Sequence, residues 1–342
     1  MPLINYEALD SSTDVTTTKT LLYEAIPLTG TIVSGTYSDE NIKNFTHGMF
    51  QAVYDYPYLS SSANHIFDLT VGYSSNSSIS GSVSAVQESK KINMYNQFAQ
   101  VLLGYTGSNN VVRDFERDLT LDGSGKMLNT FMINFSRQIT KDQIKKGSFS
   151  LIVGTGSWAS PFEFVETLTD ASASATAGTT NTLGGDYGVL YNASNTTRGI
   201  VFYQAGIAIL ATGSWDSVTD FNSASAGTSS VTQTLASASI SGSCDALRHR
   251  IKNISFNNTT EINSTIYFCR VPHNKYNYSA NPTYLSSSQI RVKSIASDTP
   301  ISYITTIGLY SPNNELLAMA KLSEPLKKDP TNEITLRVRL DY

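Results

Sequence analysis

The final part of the chain shows the clearest alternation of apolar and polar positions. Side chains alternate from Tyr303 to Tyr310 and again from Leu316 to Leu322. Ser311-Pro312-Asn313-Asn314 separates these runs, and a proline followed by asparagines is typical of a tight turn. A third run, Ile334–Asp341, alternates aliphatic residues with Thr, Arg and Asp. Because successive strand side chains point to opposite faces, the pattern predicts a C-terminal antiparallel three-stranded sheet.

Two stretches carry apolar residues at helical spacing. The first follows a cap at Ser38-Asp39 and ends at Pro57. Its apolar stripe is formed by Ile42, Phe45, Met49, Phe50 and Val53. The second runs from about Val86 to Leu103, and Gly104 is a suitable C-terminal stop. The spacing predicts a helix in each stretch.

Shorter signals predict further strands and two short helices. Strand-like runs are His65–Tyr73, Lys126–Ile139, Ser148–Val153 and Ser264–Val271. Thr140 and Gln143 form a capping box for a helix of one or two turns that Gly147 ends, and Ser243 caps a short basic helix.

Together these elements predict a mainly β protein of α+β type, with sandwich-like or barrel-like sheets and two or three helices packed on them. Residues 1–36 are expected to form an extended N-terminal arm, and residues 37–342 a β-rich body with long Ser/Thr/Asn loops. Two low-charge loops are predicted at Asp170–Gly185 and Ser217–Ser243. A division of the body near residues 160–185 is an alternative to a single body.

Composition narrows the classes of function. Only 15% of the 342 residues are charged and the net charge is −4, so the chain lacks the basic field that nucleic acid binding needs. No apolar run is long enough to span a membrane, and MPLINYEALD does not resemble a signal peptide. We therefore expect synthesis in a cytoplasm. Cys244 and Cys269 are expected to be buried free thiols.

No catalytic, metal or cofactor residues emerge from the sequence. The four histidines lack metal-ligand spacing and the partners of a catalytic triad. Gly123-Ser124-Gly125-Lys126 is not a phosphate-binding loop, because Thr120 and Met127 replace the glycine and the Ser/Thr that the motif needs. Hydrolysis of glycans by two carboxylates is a further hypothesis, since such a pair is defined in space and not along the chain.

One internal similarity marks the two tryptophans. SLIVGTGSW and GIAILATGSW each end an apolar strand with Thr-Gly-Ser-Trp, at Trp158 and Trp215. Either two loops present these rings to a sugar or partner, or the rings fill the core. The other candidate interaction residues are aromatic or basic and lie later in the chain. They are Arg248, Arg250, Tyr276, Tyr278, Tyr284, Lys327 and Lys328.

Several segments resemble a known family. The C-terminal run YITTIGLYSPNNELLAMAKLSEPLKKDPTNEITLRVRLDY resembles virion structural proteins of contractile-tailed marine cyanophages and related phages. Further similarity lies in Phe45–Tyr73, Lys91–Gly104, Ile133–Phe149 and Asn253–Arg270. IGLYSPNNELLAMAKL is also similar to a strand-turn-strand of tail-associated and collar-fibre proteins.

The resemblance implies a place in a phage particle, in the tail, baseplate or neck more than in the capsid shell. The favoured hypothesis is a non-enzymatic virion protein that binds copies of itself and neighbouring particle proteins. One alternative is a receptor-binding adhesin that stacks host glycans on Trp158, Trp215 or the Tyr276–Tyr284 loop. Another is a capsid-associated or decoration protein.

Overall fold

A computed structural model describes residues 7–24, 39–81, 85–106, 111–139, 142–170, 183–222, 227–279, 281–287, 289–293, 295 and 297–342. These residues form two compact units. The smaller unit contains residues 7–21 and 261–342, and the larger unit contains the described residues between 22 and 260. Residues 160–170 lie within the larger unit. No helix of the described residues has both the length and the apolar character that crossing a membrane requires.

The described residues contain three α-helices among many short strands. The helices are α1 (Ala85–Leu102), α2 (Val231–Ser237) and α3 (Ile240–Arg248). The strands confined to the larger unit are β2 (Ile42–Asn44), β3 (Gln51–Tyr54), β4 (His65–Tyr73), β5 (Phe115–Glu116), β6 (Lys126–Met127), β7 (Asn129–Asn134), β8 (Gln143–Ile144), β9 (Ser150–Gly154), β10 (Val165–Thr169), β11 (Tyr187–Tyr191), β12 (Thr197–Phe202), β13 (Ile207–Ala211) and β14 (Ile251–Ser255). The remaining strands are β1 (Val15–Glu24), β15 (Asn258–Val271), β16 (Leu285–Ser286), β17 (Gln289–Ile290), β18 (Ser302–Tyr310), β19 (Leu316–Lys328) and β20 (Ile334–Asp341). The mainly β fold class with helices is thus confirmed.

A ten-stranded antiparallel sheet organises the described part of the larger unit. Its strand order is β14-β9-β10-β11-β12-β13-β7-β4-β3-β2. Both faces are apolar: Phe131 and Ile133 of β7 belong to one core, and Met132 between them belongs to the other. The first core includes residues of α2 and α3, and the second includes residues of α1. Alternation along the strands therefore buries both sides of the sheet.

Helix α1 forms as the sequence predicts. It ends where Gly104 adopts φ +77°, and the Gly104 N–H donates to the carbonyls of Ala99 and Gln100. Strand β4, also as predicted, packs beneath it. At Gly72 of β4 a Cβ atom would lie 2.8 Å from backbone atoms of Lys91 and Tyr95. Glycine therefore permits the close approach of helix and strand.

A buried lysine of α1 binds the end of α2. The Lys91 ammonium donates to the carbonyls of Leu235 and Ala238, the latter at 2.6 Å. Helices end with carbonyls that lack intrahelical donors, and a cation satisfies them. Removal from water lowers the Lys91 pKa to about 8.

The helix predicted between Ser38 and Pro57 is wrong. Within the described residues this stretch forms the β2–β3 hairpin, with Ile42 opposite Val53. Gly48, in the turn, has φ +63°, which a helix does not accommodate. Pairing of β3 with β4 decides the outcome, because the hairpin extends the large sheet. Ser38 itself lies outside the described residues.

The long polar loop predicted at Ser217–Ser243 is also wrong, since α2 lies within it and α3 begins there. Ser230 caps α2 through a capping box with Gln233, whose N–H lies 3.2 Å from the Ser230 hydroxyl. Ser239 caps α3, so Ser243, the predicted cap, is a buried residue inside that helix. Small Ser, Ala and Thr side chains make these helices look like a loop in sequence. Residues 223–226 of this stretch lie outside the described residues.

The short helix predicted after Thr140 is wrong as well. Gln143 and Ile144 form β8, which pairs with Asn258 and Thr259 of β15. The buried Ile144 gains more from this pairing than an isolated helical turn would supply. The strand predicted at residues 126–139 is interrupted: β6 and β7 are followed by a 3-10 helix at Ser136–Gln138. Residues 140–141 lie outside the described residues.

Two further predictions fall partly outside the described residues. The N-terminal arm includes residues 1–6 and 25–36, and its described part includes β1. The Asp170–Gly185 loop includes residues 171–182. Asp170 itself is buried, and its carboxylate accepts hydrogen bonds from the Gly147 N–H, the Phe149 N–H and the Tyr203 hydroxyl. Burial raises the Asp170 pKa.

The smaller unit contains the predicted C-terminal strands. The last, β20, lies in a three-stranded path β1-β15-β20. Its register with β15 runs from Ser264 opposite Asp341 to Val271 opposite Ile334. Val338 is buried while Arg337 and Arg339 are exposed, so the predicted dry and wet faces are confirmed. The other two, β18 and β19, pair with each other in a separate two-stranded sheet, so the three-stranded sheet is formed by β20 with β15 and β1 and not by the three C-terminal runs.

Cys244 and Cys269 are both free. Cys244 is buried in α3, where desolvation raises its thiol pKa well above the ordinary value. Cys269 of β15 is only half-buried. The expectation of two buried thiols is therefore confirmed for Cys244 and too strong for Cys269.

Candidate assembly hairpin

The hairpin formed by β18 and β19 is the outstanding feature of the smaller unit, and we call it the assembly hairpin. Among the described strands, β18 and β19 pair only with each other. The connecting turn is closed by Ser311, whose N–H donates to the Glu315 carbonyl and whose carbonyl accepts from the Asn314 N–H. Asn314 has φ +64°, which asparagine tolerates better than most residues. The predicted Ser-Pro-Asn-Asn turn is confirmed.

The base of the assembly hairpin is fixed to the loop that precedes it. The Lys328 ammonium is buried and donates to the carbonyl of His273, the Asn277 side chain and the Asp329 carbonyl. At the start of β18, the Ser302 hydroxyl donates to the Tyr276 carbonyl. Strand β18 is therefore held at its first residue and β19 at its last.

Two tyrosines complete this base. Tyr284 is buried and its hydroxyl donates to the Ile301 carbonyl. The ring of Tyr278 meets the Tyr284 ring edge to face, with centroids 5.0 Å apart. Tyr276, Tyr278, Tyr284 and Lys328, selected separately from the sequence, thus surround the base of one hairpin. Lys327 lies beside Lys328 and pairs with Asp329 at 3.5 Å.

Beyond its base the assembly hairpin exposes apolar side chains. Leu317 is 69% exposed and Met319 is 59% exposed. Tyr303, Tyr310, Leu316 and Leu326 are exposed as well. The Tyr310 ring and Leu316 lie over Gly308, where a Cβ atom would come within 2.8 Å of the ring. An isolated two-stranded hairpin is only marginally stable in water, so such a surface is typical of a strand pair that is completed by a partner.

The two edges of the assembly hairpin differ. Ile304 pairs with Leu326 and Thr306 with Lys321, so residues 322–325 bulge from β19 opposite the single residue Thr305. A second irregularity adds Leu317, again on β19. Strand β19 also contains Pro325 and several charges, whereas SYITTIGLY of β18 contains neither proline nor charge. Bulges, prolines and charges protect sheet edges from pairing, and β18 has none of them.

The two tryptophans of the larger unit have structural roles. Trp215 is fully buried, packs edge to face on Phe131 at 5.5 Å, and its indole N–H donates to the Gly154 carbonyl. The ring therefore fills the core and presents no surface to a glycan. Trp158 is half-buried and stacks on the His249 ring, with centroids 3.9 Å apart.

The basic candidates of the larger unit bind within the chain. Arg250 is fully buried, and its guanidinium donates to the Gly156 carbonyl at 2.6 Å and to the Asp220 carboxylate at 3.2 Å. Asp220 also accepts from the Trp158 N–H at 2.6 Å. Arg248 pairs with Asp245 at 3.1 Å. Arg250 therefore joins two loops and is not part of the surface.

Among the described residues, no group of three or more His, Cys, Asp or Glu side chains is placed to hold a metal ion. His65 binds Asp68 at 2.7 Å, beside a cleft of about 190 Å³ in the larger unit. Phe50, Phe98 and Met132 supply its apolar wall, and Asp68 and Asn134 its polar wall. Thr70 also lines the cleft, and its hydroxyl donates to the Met49 carbonyl at 2.6 Å.

Comparisons with models of protein families, with curated proteins and with solved structures found no match to this chain. The geometry of the described residues therefore carries the functional argument. Sequence reasoning selected the residues around the hairpin base as separate loop and charge features. Their common location depends on contacts between residues up to 55 positions apart, such as that of Lys328 with His273.

Proposed function

We propose that this chain is a non-enzymatic structural subunit of a phage particle, in the tail, baseplate or neck, that binds copies of itself and neighbouring particle proteins. The observation that carries the assembly role is the assembly hairpin, which exposes Leu317 and Met319 on a strand pair whose outer edges meet no other strand among the described residues. The phage assignment rests on the resemblance of the five segments given above.

The energetics of the assembly hairpin favour an interface. Removing a Leu or Met side chain from water contributes roughly 1.5–3 kcal/mol. Two or three such side chains supply several kcal/mol, which is enough to offset part of the entropy that association costs. A fixed base also lowers the entropy cost of association. Tyr284 already orders the entry to β18, and Lys328 orders the end of β19.

The glycan-binding alternative retains less support. Trp215 is removed from the surface by burial, and Trp158 has one face covered by His249. Tyr278 remains exposed, but it packs on Tyr284 at the hairpin base. The contact of Tyr278 with Tyr284 favours a role in holding the assembly hairpin.

Replacing Leu317 and Met319 with serine is expected to weaken self-association by about tenfold or more, since two exposed apolar contacts would be lost from the interface. Sedimentation velocity over a wide range of concentration measures this change. The hairpin itself should remain folded, because both side chains point into solvent.

A matched control replaces two exposed apolar side chains that belong to the larger unit and not to the assembly hairpin. Leu59 and Val101 of the larger unit are exposed by 86% and 67%. The variant Leu59→Ser/Val101→Ser should associate as the unmodified chain does. A chain that stays monomeric at every concentration, or a control that loses association equally, would contradict the proposed function.

A further inference from the structure

The open edge of β18 points to a specific mode of association. We infer that β18 is a strand-addition site whose partner is β18 of a second copy, paired antiparallel about a two-fold axis through Thr306. This inference rests on the proposed function and adds the residues and symmetry of one contact.

The choice of β18 over β19 follows from the register. Both irregularities of the assembly hairpin place additional residues on β19, namely residues 322–325 and Leu317. A partner strand that pairs with β19 would meet an interrupted row of backbone donors and acceptors, including Pro325, which has no N–H. Strand β18 runs without interruption for nine residues.

The neutrality of β18 favours a second copy as the partner. No residue from Ser302 to Tyr310 carries a charge, so two identical strands can approach without like-charge repulsion. A partner selected by charge complementarity would need a charged edge, which this strand does not offer. Identical strands that pair antiparallel produce the closed two-fold contact that is most common among homo-oligomers.

The register is set by overlap. Thr306 is the midpoint of the nine residues, so a two-fold axis there pairs every residue of β18 with a residue of its copy. Tyr303 would then face Leu309, and Thr305 would face Ile307. Aromatic–aliphatic pairs and threonine beside a β-branched residue are favourable across strands. Ile304 would face Gly308, whose missing side chain leaves room on its own strand for the Tyr310 ring.

The pairing makes position 306 face itself, which a charge exchange tests directly. Thr306→Glu and Thr306→Lys should each raise the dissociation constant for self-association about tenfold or more, because like charges would lie opposite each other. An equimolar mixture of the two variants should restore association close to that of the unmodified chain. Sedimentation equilibrium gives the dissociation constants of the unmodified chain, of each variant and of the mixture. Circular dichroism melting curves that match that of the unmodified chain show that the variants are folded.

Ser323 provides the matched control, because it is exposed on β19 of the same hairpin. Ser323→Glu and Ser323→Lys should associate like the unmodified chain. A second measurement uses cysteine: directly opposed residues of antiparallel strands have Cβ atoms about 4.5–5.5 Å apart, close enough for a disulfide after small adjustments. Thr306→Cys should therefore form a disulfide-linked dimer on mild oxidation, and Ser323→Cys should not.

The outcomes separate this inference from the proposed function. If the unmodified chain associates and both Thr306 charge variants associate equally well, the inference is overturned while the proposed function stands. If both variants weaken association and their mixture does not recover it, the two-fold register is wrong and the inference fails. A chain that remains monomeric overturns both.

Discussion

Replacing Trp215 with alanine is expected to lower the free energy of unfolding of the larger unit by about 3–5 kcal/mol. The side chain is fully buried between Phe131 and Phe221, so its removal leaves a large cavity. The loss of the indole N–H also leaves the Gly154 carbonyl without this donor. Urea unfolding followed by circular dichroism measures the change.

Trp158 is the matched control, since it ends the other Thr-Gly-Ser-Trp segment. Its half-buried ring stacks on His249. In Trp158→Ala, loss of this stacking should cost only about 1 kcal/mol, in addition to a small contribution from the apolar area that is no longer buried. Equal losses of stability in Trp215→Ala and Trp158→Ala would contradict the difference in burial between the two rings. A Trp215→Ala chain that is fully stable would refute its core role.

Arg250→Met should lower the free energy of unfolding by about 3–5 kcal/mol, because it leaves the buried Gly156 carbonyl and the partly buried Asp220 carboxylate without their cation. The guanidinium joins Gly156 to Asp220, and Asp220 in turn holds the Trp158 N–H. The double variant Arg250→Met/Asp220→Asn should lose less than the sum of the single effects, since the two residues share one interaction.

A partly exposed ion pair supplies the comparison for Arg250. Lys126, whose side chain is 42% exposed, pairs with Asp114 at 3.1 Å. Because the Asp114 carboxylate also accepts from the Ser74 hydroxyl at 2.6 Å, Lys126→Met should change stability by only about 0–1 kcal/mol. If Arg250→Met proved equally mild but abolished binding to other particle proteins, Arg250 would be an interaction residue after all.

Local patterns predicted the elements whose partners are near in sequence. Helix α1 follows from its apolar stripe and Gly104, and β4 follows from alternation. The assembly hairpin follows from two alternating runs around Ser311-Pro312, because its two arms need only each other. In these elements the spacing of apolar residues along the chain reflects the contacts that the folded structure makes.

The elements that the sequence analysis did not predict depend on contacts with distant parts of the chain. The apolar spacing of Ile42, Phe45 and Val53 suits a helix, but β3 pairs with β4 and the hairpin completes the sheet. Helix α2 is short and rich in Ser, Thr and Ala, so its apolar pattern is weak. Helix α3 does carry Ile240, Cys244 and Leu247 at helical spacing, and this stripe with the caps at Ser230 and Ser239 was the available signal.

The candidate site was predictable only in part. The alternation predicted from Leu316 to Leu322 separates Met319 from Ala318 and Ala320, but it does not show that Leu317 and Met319 are exposed. The burial of Arg250 and Lys328 was not predictable, because each is enclosed by residues from distant parts of the chain. Burial of Trp215 was one of the two alternatives that the sequence offered. The difference between the two edges of the hairpin depends on bulges that only the paired register reveals.

The central claim is that the assembly hairpin is where this chain binds copies of itself and its neighbours. Hydrogen–deuterium exchange of the unmodified chain, followed by mass spectrometry at low and high concentration, tests it most directly. The account predicts that amides between residues 302 and 328 exchange more slowly as concentration rises, with the strongest protection in β18. Association accompanied by protection only in the larger unit, with unchanged exchange in β18 and β19, would contradict it.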